Sequence, residues 1–427
     1  MERKVFIEPV ARVEGHGGIE VFVEGNKVKE VKVDIFEGPR LMEELVKGKY
    51  PEEAVSITSR ICAICFLSHR LSDIRAHERA LWVEPSEKTK LLRKLAHYGE
   101  MIESHSLHYY LLALPDYLGY PDAISMMKAF PREVKGALEL KKYGNRVMEI
   151  IAGRRVHGEN MKVGGFGSLP GEEDLHWIAE MARNLIPEIE RGLAVWGKLD
   201  IPDYMEADTT FASVWPEDGE FGFTADTIKI SDGTELPADE YKALTNEYVV
   251  PHSFAKRCRY KGKPYTVGAL ARVLLMSERL DGQAKKWFKK YYNQRWWKNP
   301  HYNNVAQAIE LLFCLEKIPA LVEAIKKADY YEASPSRDSG SGTGIVEAPR
   351  GLLIHHYEIE GGRVKEADFV IPTTQNLDDI EKYIRIAAQN LLDKGEQEIE
   401  LPLEMIMRAY DPCISCSVHM VRVVRRT

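Results

Sequence analysis

Residues 60–69 read RICAICFLSH, and residues 411–419 read DPCISCSVH. Each stretch places two cysteines three positions apart, with a histidine shortly after the second cysteine. Two thiolates at this spacing can bind one metal ion, so each stretch predicts half of a metal site. Because 348 positions separate Cys65 from Cys413, the site is complete only if the fold brings the two ends of the chain together.

The spacing alone leaves the metal open. Four thiolates suit a structural zinc ion or an iron–sulfur cluster, and soft sulfur ligands also bind nickel and copper(I). Zinc ribbons usually space their pairs by tens of residues, because the metal replaces the missing core of a small domain. A chain of 427 residues can build a large core without that help. The remaining cysteines, Cys258 and Cys314, are predicted to be buried structural residues.

Composition excludes several classes of protein. The chain carries 58 basic and 65 acidic residues, a net charge of −7, which gives no general attraction to nucleic acid or to an anionic membrane surface. The first residues, MERKVFIEPVARVEG, are charged and contain proline, unlike a secretory signal. No apolar run is long enough to cross a bilayer. We therefore expect a cytoplasmic protein that is not inserted in a membrane.

Hydrophobic periodicity predicts a mainly helical α+β fold. Apolar and polar residues alternate over residues 17–36 on both sides of Gly25–Asn26, which predicts a β-hairpin. Helical patterns dominate from about residue 40 to 200, including a long helix from Ser86 that we expect to stop at Pro115. Residues 333–351, ASPSRDSGSGTGIVEAPRG, are typical of a loop. We expect one domain with a long central helix bundle and small peripheral sheets.

Further motifs occur before the first cysteine pair and between the two pairs. They are ARVEGHG at 11–17, PRLMEELVKGKYPEEA at 39–54, ESHSLHYYLLALPD at 103–116, EAPRG at 347–351 and IPTTQN at 371–376. With these motifs, essentially the whole chain resembles the large subunits of nickel–iron hydrogenases. The details are most similar to the alpha subunits of cytoplasmic NAD(P)-linked sulfhydrogenases.

The resemblance implies a nickel–iron centre that cleaves H2 reversibly. Cys62 and Cys413 would be terminal ligands of nickel, and Cys65 and Cys416 would bridge nickel to an iron that carries CO and cyanide. Soft anionic sulfur makes nickel electron-rich, which fits heterolytic cleavage of H2.

The resemblance also assigns roles to side chains around the metals. Glu14 would take a proton from Cys413, and Arg350 would lie over the open side of the metals, oriented by Asp116 and Asp411. Other residues would surround the iron ligands and the sulfurs: Pro349 and Thr373 in the cyanide pockets, and His69 as donor to a bridging sulfur. From pattern alone, Glu14 is a surface or turn carboxylate and Arg350 is a loop arginine in an ion pair.

A second metal is implied beside the first. Glu43 and His419 match ligands of a Mg²⁺-type site, and a carboxylate with several waters suits that ion. Periodicity alone would make Glu43 an exposed helix residue.

The chain has no further cysteine cluster and no G-x-G-x-x-G fingerprint, so electrons and pyridine nucleotide must use other subunits. The resemblance implies a heterotetramer with an iron–sulfur small (delta-type) subunit and diaphorase-like beta and gamma subunits that carry FAD and further clusters. The resemblance implies that electrons would pass to NAD(P)+, with sulfur or polysulfide as a candidate second acceptor.

Maturation is part of the same resemblance. Nickel-insertion proteins would load the centre, and a protease would then cut after His419. Residues 1–419 would form the single hydrogenase domain, and residues 420–427, MVRVVRRT, would be removed.

Two alternatives remain open at this point. One is a non-catalytic scaffold related to a subunit of respiratory complex I, which has lost the metal cysteines. The other is a zinc-stabilised structural protein.

Overall fold

The computed structural model describes residues 2–418, so the predicted ligand His419 and the predicted tail lie outside the described residues. The helices are α1 (Met42–Val46), α2 (Pro51–Thr58), α3 (Phe66–Leu81), α4 (Glu87–Ser106), α5 (Leu114–Tyr117), α6 (Ala123–Met126), α7 (Pro131–Ala152), α8 (Glu172–Trp196), α9 (Lys242–Thr245), α10 (Ala269–Leu275), α11 (Gly282–Tyr291), α12 (Tyr302–Lys327), α13 (Pro372–Asn390), α14 (Glu396–Ala409) and α15 (Ile414–Ser417). The strands are β1 (Glu2–Ile7), β2 (Gly17–Glu24), β3 (Lys27–Ile35), β4 (Met161–Lys162), β5 (Gly165–Phe166), β6 (Thr210–Val214), β7 (Thr227–Ile230), β8 (Glu235–Pro237), β9 (Tyr265–Thr266), β10 (Gly340–Ala348), β11 (Gly351–Glu360) and β12 (Arg363–Val370).

A bundle of long helices forms the centre of the molecule. Helices α4, α7, α8 and α12 pack against one another, and their apolar side chains belong to one large core cluster. Residues 302–315 of α12 are buried on every side, as expected for a central helix rather than an amphipathic surface helix. Gly144 of α7 lets that helix approach α4 closely, since a Cβ there would lie 2.6 Å from the amide nitrogen of Glu103.

Small sheets surround this bundle. Strands β1, β2 and β3 form an antiparallel sheet with the predicted turn at Gly25–Asn26, and the sheet packs on α13 and α14. Strands β10, β11 and β12 form a second antiparallel sheet, which packs on α3. The order of the four-stranded sheet is β8-β7-β6-β9, and β4 pairs with β5. The predicted α+β class, mainly helical with small peripheral sheets, is confirmed.

One predicted loop is a strand. Residues 340–348, expected to be irregular because of their Gly and Ser content, form β10 and pair along their whole length with β11. Their glycines face α3: a Cβ on Gly340 would lie 2.5 Å from the carbonyl oxygen of Ala80, and one on Gly344 would overlap the carbonyl oxygen of Ser72. Glycine is therefore required here for backbone-to-backbone packing, and not for a flexible loop.

The long helix does not stop at Pro115. Ser86 begins α4 as predicted, with its hydroxyl accepting the amide hydrogen of Thr89 at 3.2 Å. Beyond Ser106 the chain continues as a π-helical segment, Leu107–Ala113, and then as α5. Pro115 lies in the first turn of α5, where its missing N–H is tolerated, so the helix passes through the proline.

Within residues 2–418, no helix is long and apolar enough to cross a membrane.

The substitution Gly344→Ala tests the packing of β10 on α3. The added methyl group would overlap the Ser72 carbonyl oxygen and lie 2.7 Å from the Ala76 amide nitrogen, so we expect the free energy of unfolding to fall by about 1–3 kcal/mol. Gly38→Ala is the matched control, because a Cβ there meets nothing within 4 Å. Denaturant unfolding of both variants would measure the difference. Equal stability would contradict the proposed packing.

Candidate metal centre

The fold brings the two cysteine pairs together in the interior. Atoms Sγ of Cys62, Cys65, Cys413 and Cys416 all lie within 4.8 Å of one another, and all four residues are buried. The Sγ distances are 3.3 Å for Cys62–Cys413, 3.5 Å for Cys65–Cys416 and 2.8 Å for Cys413–Cys416. All four cysteines are free of disulfides. Four converging buried sulfurs fit a thiolate-bound metal centre.

Each pair is held by a different part of the fold. Cys62 and Cys65 lie in the tight turn before α3, where the amide groups of Ile64 and Cys65 point at the Cys62 sulfur at 3.3 and 3.4 Å. Cys413 pairs as an isolated β-bridge with Glu14, and its amide donates to the Thr373 hydroxyl at 3.0 Å. The N-terminal region and the start of α13 thus fix the second pair against the first.

Electrostatics favours the thiolate at one cysteine of this cluster and opposes it at the others. The pKa of Cys62 is well below its usual value, because hydrogen bonds from the Cys413, Cys416 and Cys65 thiols stabilise its thiolate and the charge of Arg350 adds to them. Burial raises the pKa of Cys416 well above its usual value. Hydrogen bonds with the neighbouring sulfurs and burial raise the pKa of Cys413 as well, so ionising a second cysteine beside the Cys62 thiolate is costly. A bound metal ion removes that cost, which is a second sign that the residues fit one.

Glu14 contacts the cluster directly. Its Oε2 lies 3.2 Å from Cys413 Sγ and accepts the Ser415 amide hydrogen at 3.0 Å, while the Ser415 hydroxyl donates to Oε1. The side chain is half-buried, between the enclosed sulfurs and the surface. Gly15 allows this approach, since a Cβ there would lie 2.7 Å from the Cβ of Ile414. Glu14 is therefore held in place by the chain segment that carries the second cysteine pair.

Arg350 is buried beside the same cysteines. Its Nη2 donates to Asp411 Oδ1 at 3.0 Å, its Nε to the Asp411 carbonyl at 3.1 Å and its Nη1 to the Ser104 hydroxyl at 2.7 Å. Burial opposes its charge, but the negative charge of Asp411, and of the sulfurs of Cys413, Cys65 and Cys62 when ionised, raises its pKa well above the usual value. These three contacts use three of its five N–H groups, which leaves two without a partner among the residues described.

The expected pair of Asp116 and Arg350 does not form. The Asp116 carboxylate instead accepts from Arg408 Nε at 2.8 Å and from Arg12. The resemblance implied that Asp116 pairs with Arg350, but Arg12 and Arg408 neutralise this carboxylate instead. Asp411 alone of the two aspartates orients Arg350.

The other predicted residues occupy buried positions. Pro349, Thr373 and Glu43 are all buried, and Glu43 is 1% exposed, contrary to the exposed position that periodicity indicates. Glu43 Oε1 lies 3.3 Å from the Phe369 amide and 3.6 Å from Lys256 Nζ. His69 Nδ1 lies 3.1 Å from His355 Nε2.

Two residues that orient the site were not predicted. Ser104 accepts from Arg350, and Gln307 Nε2 donates to Asp411 Oδ2 at 3.0 Å. A signal for Gln307 exists in the sequence, because polar residues recur at helical spacing through the apolar α12. They are Asn303, Gln307 and Glu310.

Four buried thiols, with a carboxylate and a buried arginine beside them, are the arrangement expected of a thiolate-bound metal enzyme. The family model for nickel-dependent hydrogenases matches residues 40–136 and 203–419, a HoxL-like model matches residues 4–37, and the chain belongs to the nickel-dependent hydrogenase large subunits. It is thus the catalytic type of subunit of a hydrogenase, an oxidoreductase, and the scaffold and zinc alternatives are set aside.

Relatives support this family over the whole chain. Two alpha subunits of Pyrococcus furiosus, those of sulfhydrogenase 1 and sulfhydrogenase 2, are each 40% identical to the chain. The first match covers 98% of both chains, and the second covers 98% of this chain and 99% of the relative. A crystal structure of an NAD+-reducing [NiFe]-hydrogenase in the H2-reduced state superimposes with a TM-score of 0.90 at 26% identity. It covers 98% of this chain and 99% of that one.

Proposed function

We propose that this chain binds a nickel–iron centre through its four converging cysteines and exchanges protons with it through Glu14. The observation that carries the proposal is the 3.2 Å contact between Glu14 Oε2 and Cys413 Sγ inside a buried four-thiol cluster. Cys62 and Cys413 would be terminal nickel ligands, and Cys65 and Cys416 would bridge to an iron with CO and cyanide ligands. When bound, such a centre supplies the electron-rich metals at which H2 is cleaved heterolytically.

Other side chains of this chain are proposed to move the proton and to surround the metal centre. Glu14 takes a proton from the Cys413 sulfur, and its half-buried position lets it pass the proton toward the surface. Arg350, oriented by Asp411, offers its two unused N–H groups to the open side of the cluster. Pro349 and the Thr373 hydroxyl would line the cyanide pockets, and His69 would donate to a bridging sulfur.

Glu43 and His419 are proposed as ligands of a Mg²⁺-type ion beside the centre. The likeness to the nickel-dependent hydrogenase large subunits supports this assignment, and the Glu43 carboxylate is buried, with Lys256 Nζ 3.6 Å from its Oε1. Asp116 is proposed to act indirectly. It forms ion pairs with Arg12 and with Arg408, and Arg408 lies in the segment that leads to Asp411.

Electron transfer requires other chains. We propose an iron–sulfur small subunit as the neighbour, with diaphorase-like subunits that carry FAD and reduce NAD(P)+, and sulfur or polysulfide as a further acceptor. The support is the likeness to sulfhydrogenase alpha subunits and to an NAD+-reducing hydrogenase. A cytoplasmic location and assistance from nickel-insertion proteins belong to the same proposal.

The metal assignment is tested with anaerobically purified complex and a Cys416→Ser variant. We expect nickel and iron in the wild-type protein, with infrared bands of CO and cyanide. We expect the variant to lose these bands and H2 oxidation, because a serine hydroxyl is too weak an acid to replace a bridging thiolate. Cys258→Ser is the control, since Cys258 is equally buried but lies outside the cluster. Zinc without nickel in the wild type, or full activity of Cys416→Ser, would refute the assignment.

The proton relay is tested with Glu14→Gln. An amide cannot accept and release the proton, so we expect exchange between D2 and water protons to fall by on the order of 10²–10⁴-fold with the metals still bound. Glu37→Gln is the matched control, because Glu37 accepts the neighbouring His16 amide hydrogen and contacts none of the four cysteines. Unchanged exchange in Glu14→Gln would mean that the relay begins at another residue.

Removal of residues 420–427 is proposed as the last step of maturation. The chain is buried up to Val418, whose carbonyl accepts the Arg40 amide hydrogen at 2.8 Å, so the segment before His419 is closely packed. Mass spectrometry of active protein should find a chain that ends at His419. The metal-free Cys416→Ser chain should keep Thr427, and an intact Thr427 in active protein would contradict the proposal.

A further inference from the structure

A buried cluster of charged residues lies behind the loop that carries Arg350. Arg272 of α10, Glu310 of α12 and Glu347 of β10 are each fully enclosed, with 0% exposure. Their positions in three separate elements mean that the cluster joins the helix bundle to the sheet of β10 to β12. The metal ligands and the proton relay proposed above do not include any of them.

Arg272 has all five of its N–H groups engaged. Two go to Glu310, from Nε at 2.5 Å and from Nη2 at 2.6 Å, and one goes from Nη1 to Glu347 Oε2 at 2.7 Å. The remaining two donate to main-chain carbonyls, at 3.0 Å to Ala348 and 3.2 Å to Pro349. A guanidinium offers five donors in a fixed plane, so this set of acceptors defines one orientation of the side chain.

The two carbonyls belong to the tip of the β10–β11 hairpin. Ala348 pairs with Gly351, which leaves Pro349 and Arg350 as the two residues of the turn. Arg272 therefore binds the main chain of the two residues that directly precede Arg350. Any displacement of its guanidinium moves the peptide from which the Arg350 side chain extends.

The same cluster also reaches the acceptor of the Arg350 side chain. Glu310 Oε2 lies 2.8 Å from His105 Nε2, and burial lowers the pKa of His105, so the neutral ring donates this hydrogen bond. His105 follows Ser104, whose hydroxyl accepts from Arg350 Nη1. The cluster thus fixes Arg350 both through its main chain and through the residue that holds its side chain.

Stability alone is a poor explanation for this arrangement. Enclosing three charged groups costs desolvation energy, and apolar side chains of similar volume often stabilise a core as well or better. Glu310 and Glu347 oppose the desolvation of Arg272 and raise its pKa above the usual value, so the guanidinium stays charged. What an apolar core lacks is the set of directed bonds to the Ala348 and Pro349 carbonyls.

We propose that Arg272, held by Glu310 and Glu347, is the positioning residue that presents Pro349 and Arg350 to the four-cysteine centre. The inference rests on the proposed nickel–iron centre for its spectroscopic consequences. Its contacts do not depend on that centre, because every one of them is made within the protein.

The test compares Arg272→Lys with Arg257→Lys in the anaerobically purified complex. Both arginines are fully buried ion-pair residues, but Arg257 binds Asp378, Glu381 and the Val33 carbonyl, away from the hairpin tip. Lysine keeps the charge and loses the planar fork. For Arg272→Lys we expect normal nickel and iron content, shifted cyanide and CO infrared bands, and a kcat lower by on the order of 10²-fold. For Arg257→Lys we expect wild-type bands, even with a similar fall in the unfolding midpoint.

Three outcomes would overturn the proposal. The first is an Arg272→Lys variant with wild-type infrared bands and wild-type kcat. The second is an equal shift of the infrared bands in Arg272→Lys and Arg257→Lys. The third applies if Arg272→Lys does not fold, and is a Glu310→Gln variant with wild-type infrared bands. If the wild-type protein shows no nickel and no infrared bands, the proposed function is refuted, but the positioning role of Arg272 is not. Crystal structures of the two lysine variants would then decide the positioning role, which requires the hairpin tip to move relative to Cys413 only in Arg272→Lys.

Discussion

Direct contact between the backbones of β10 and α3 is the constraint on which the rest of the structure depends. Glycines at alternate positions of the strand lie against every fourth residue of the helix. Two strand residues advance about 6.6 Å and four helix residues about 6.0 Å, so the two repeats nearly match. Helix α3 starts just after Cys65, and β10 ends at the Arg350 turn. The separation of the first cysteine pair from the arginine is therefore set by this backbone contact.

The second cysteine pair is positioned by different means. This pair lies near the end of the described residues. An isolated β-bridge to Glu14 and a hydrogen bond to the Thr373 hydroxyl hold Cys413 in place. The residue proposed to move protons is thus also a structural neighbour of the ligand it serves. One consequence is that the N-terminal region, α13 and the turn before α3 must all be folded before the four sulfurs converge. The site is a product of the complete fold rather than of a local motif.

Much of the fold and of the cysteine site could be predicted from the sequence. The two C-x-x-C pairs, the hairpin at Gly25–Asn26 and the helix start at Ser86 depend on local chemistry that a sequence displays directly. Strand β10 was missed because its glycines serve a tertiary contact, which looks identical to a flexible loop in sequence.

The buried polar residues were the harder part of the site. The partners of Asp116 and the five bonds of Arg272 depend on which side chains meet across distant elements. Arg272 lies within the apolar run ALARVLLM, where its charge gives no indication of the acceptors that it meets after folding.

The number of residues in the π-helical segment between Ser104 and Asp116 sets the direction in which Asp116 points. Each residue turns an α-helix by about 100°, so the widened turns of Leu107–Ala113 rotate everything that follows relative to an uninterrupted helix. That rotation brings Asp116 to Arg12 and Arg408 while Ser104, one turn before the segment, still faces Arg350. The identity of His108 matters within the segment, because its ring lies 2.7 Å from the Arg408 carbonyl oxygen. The number of residues matters as well, because one residue fewer would turn the aspartate away from both arginines.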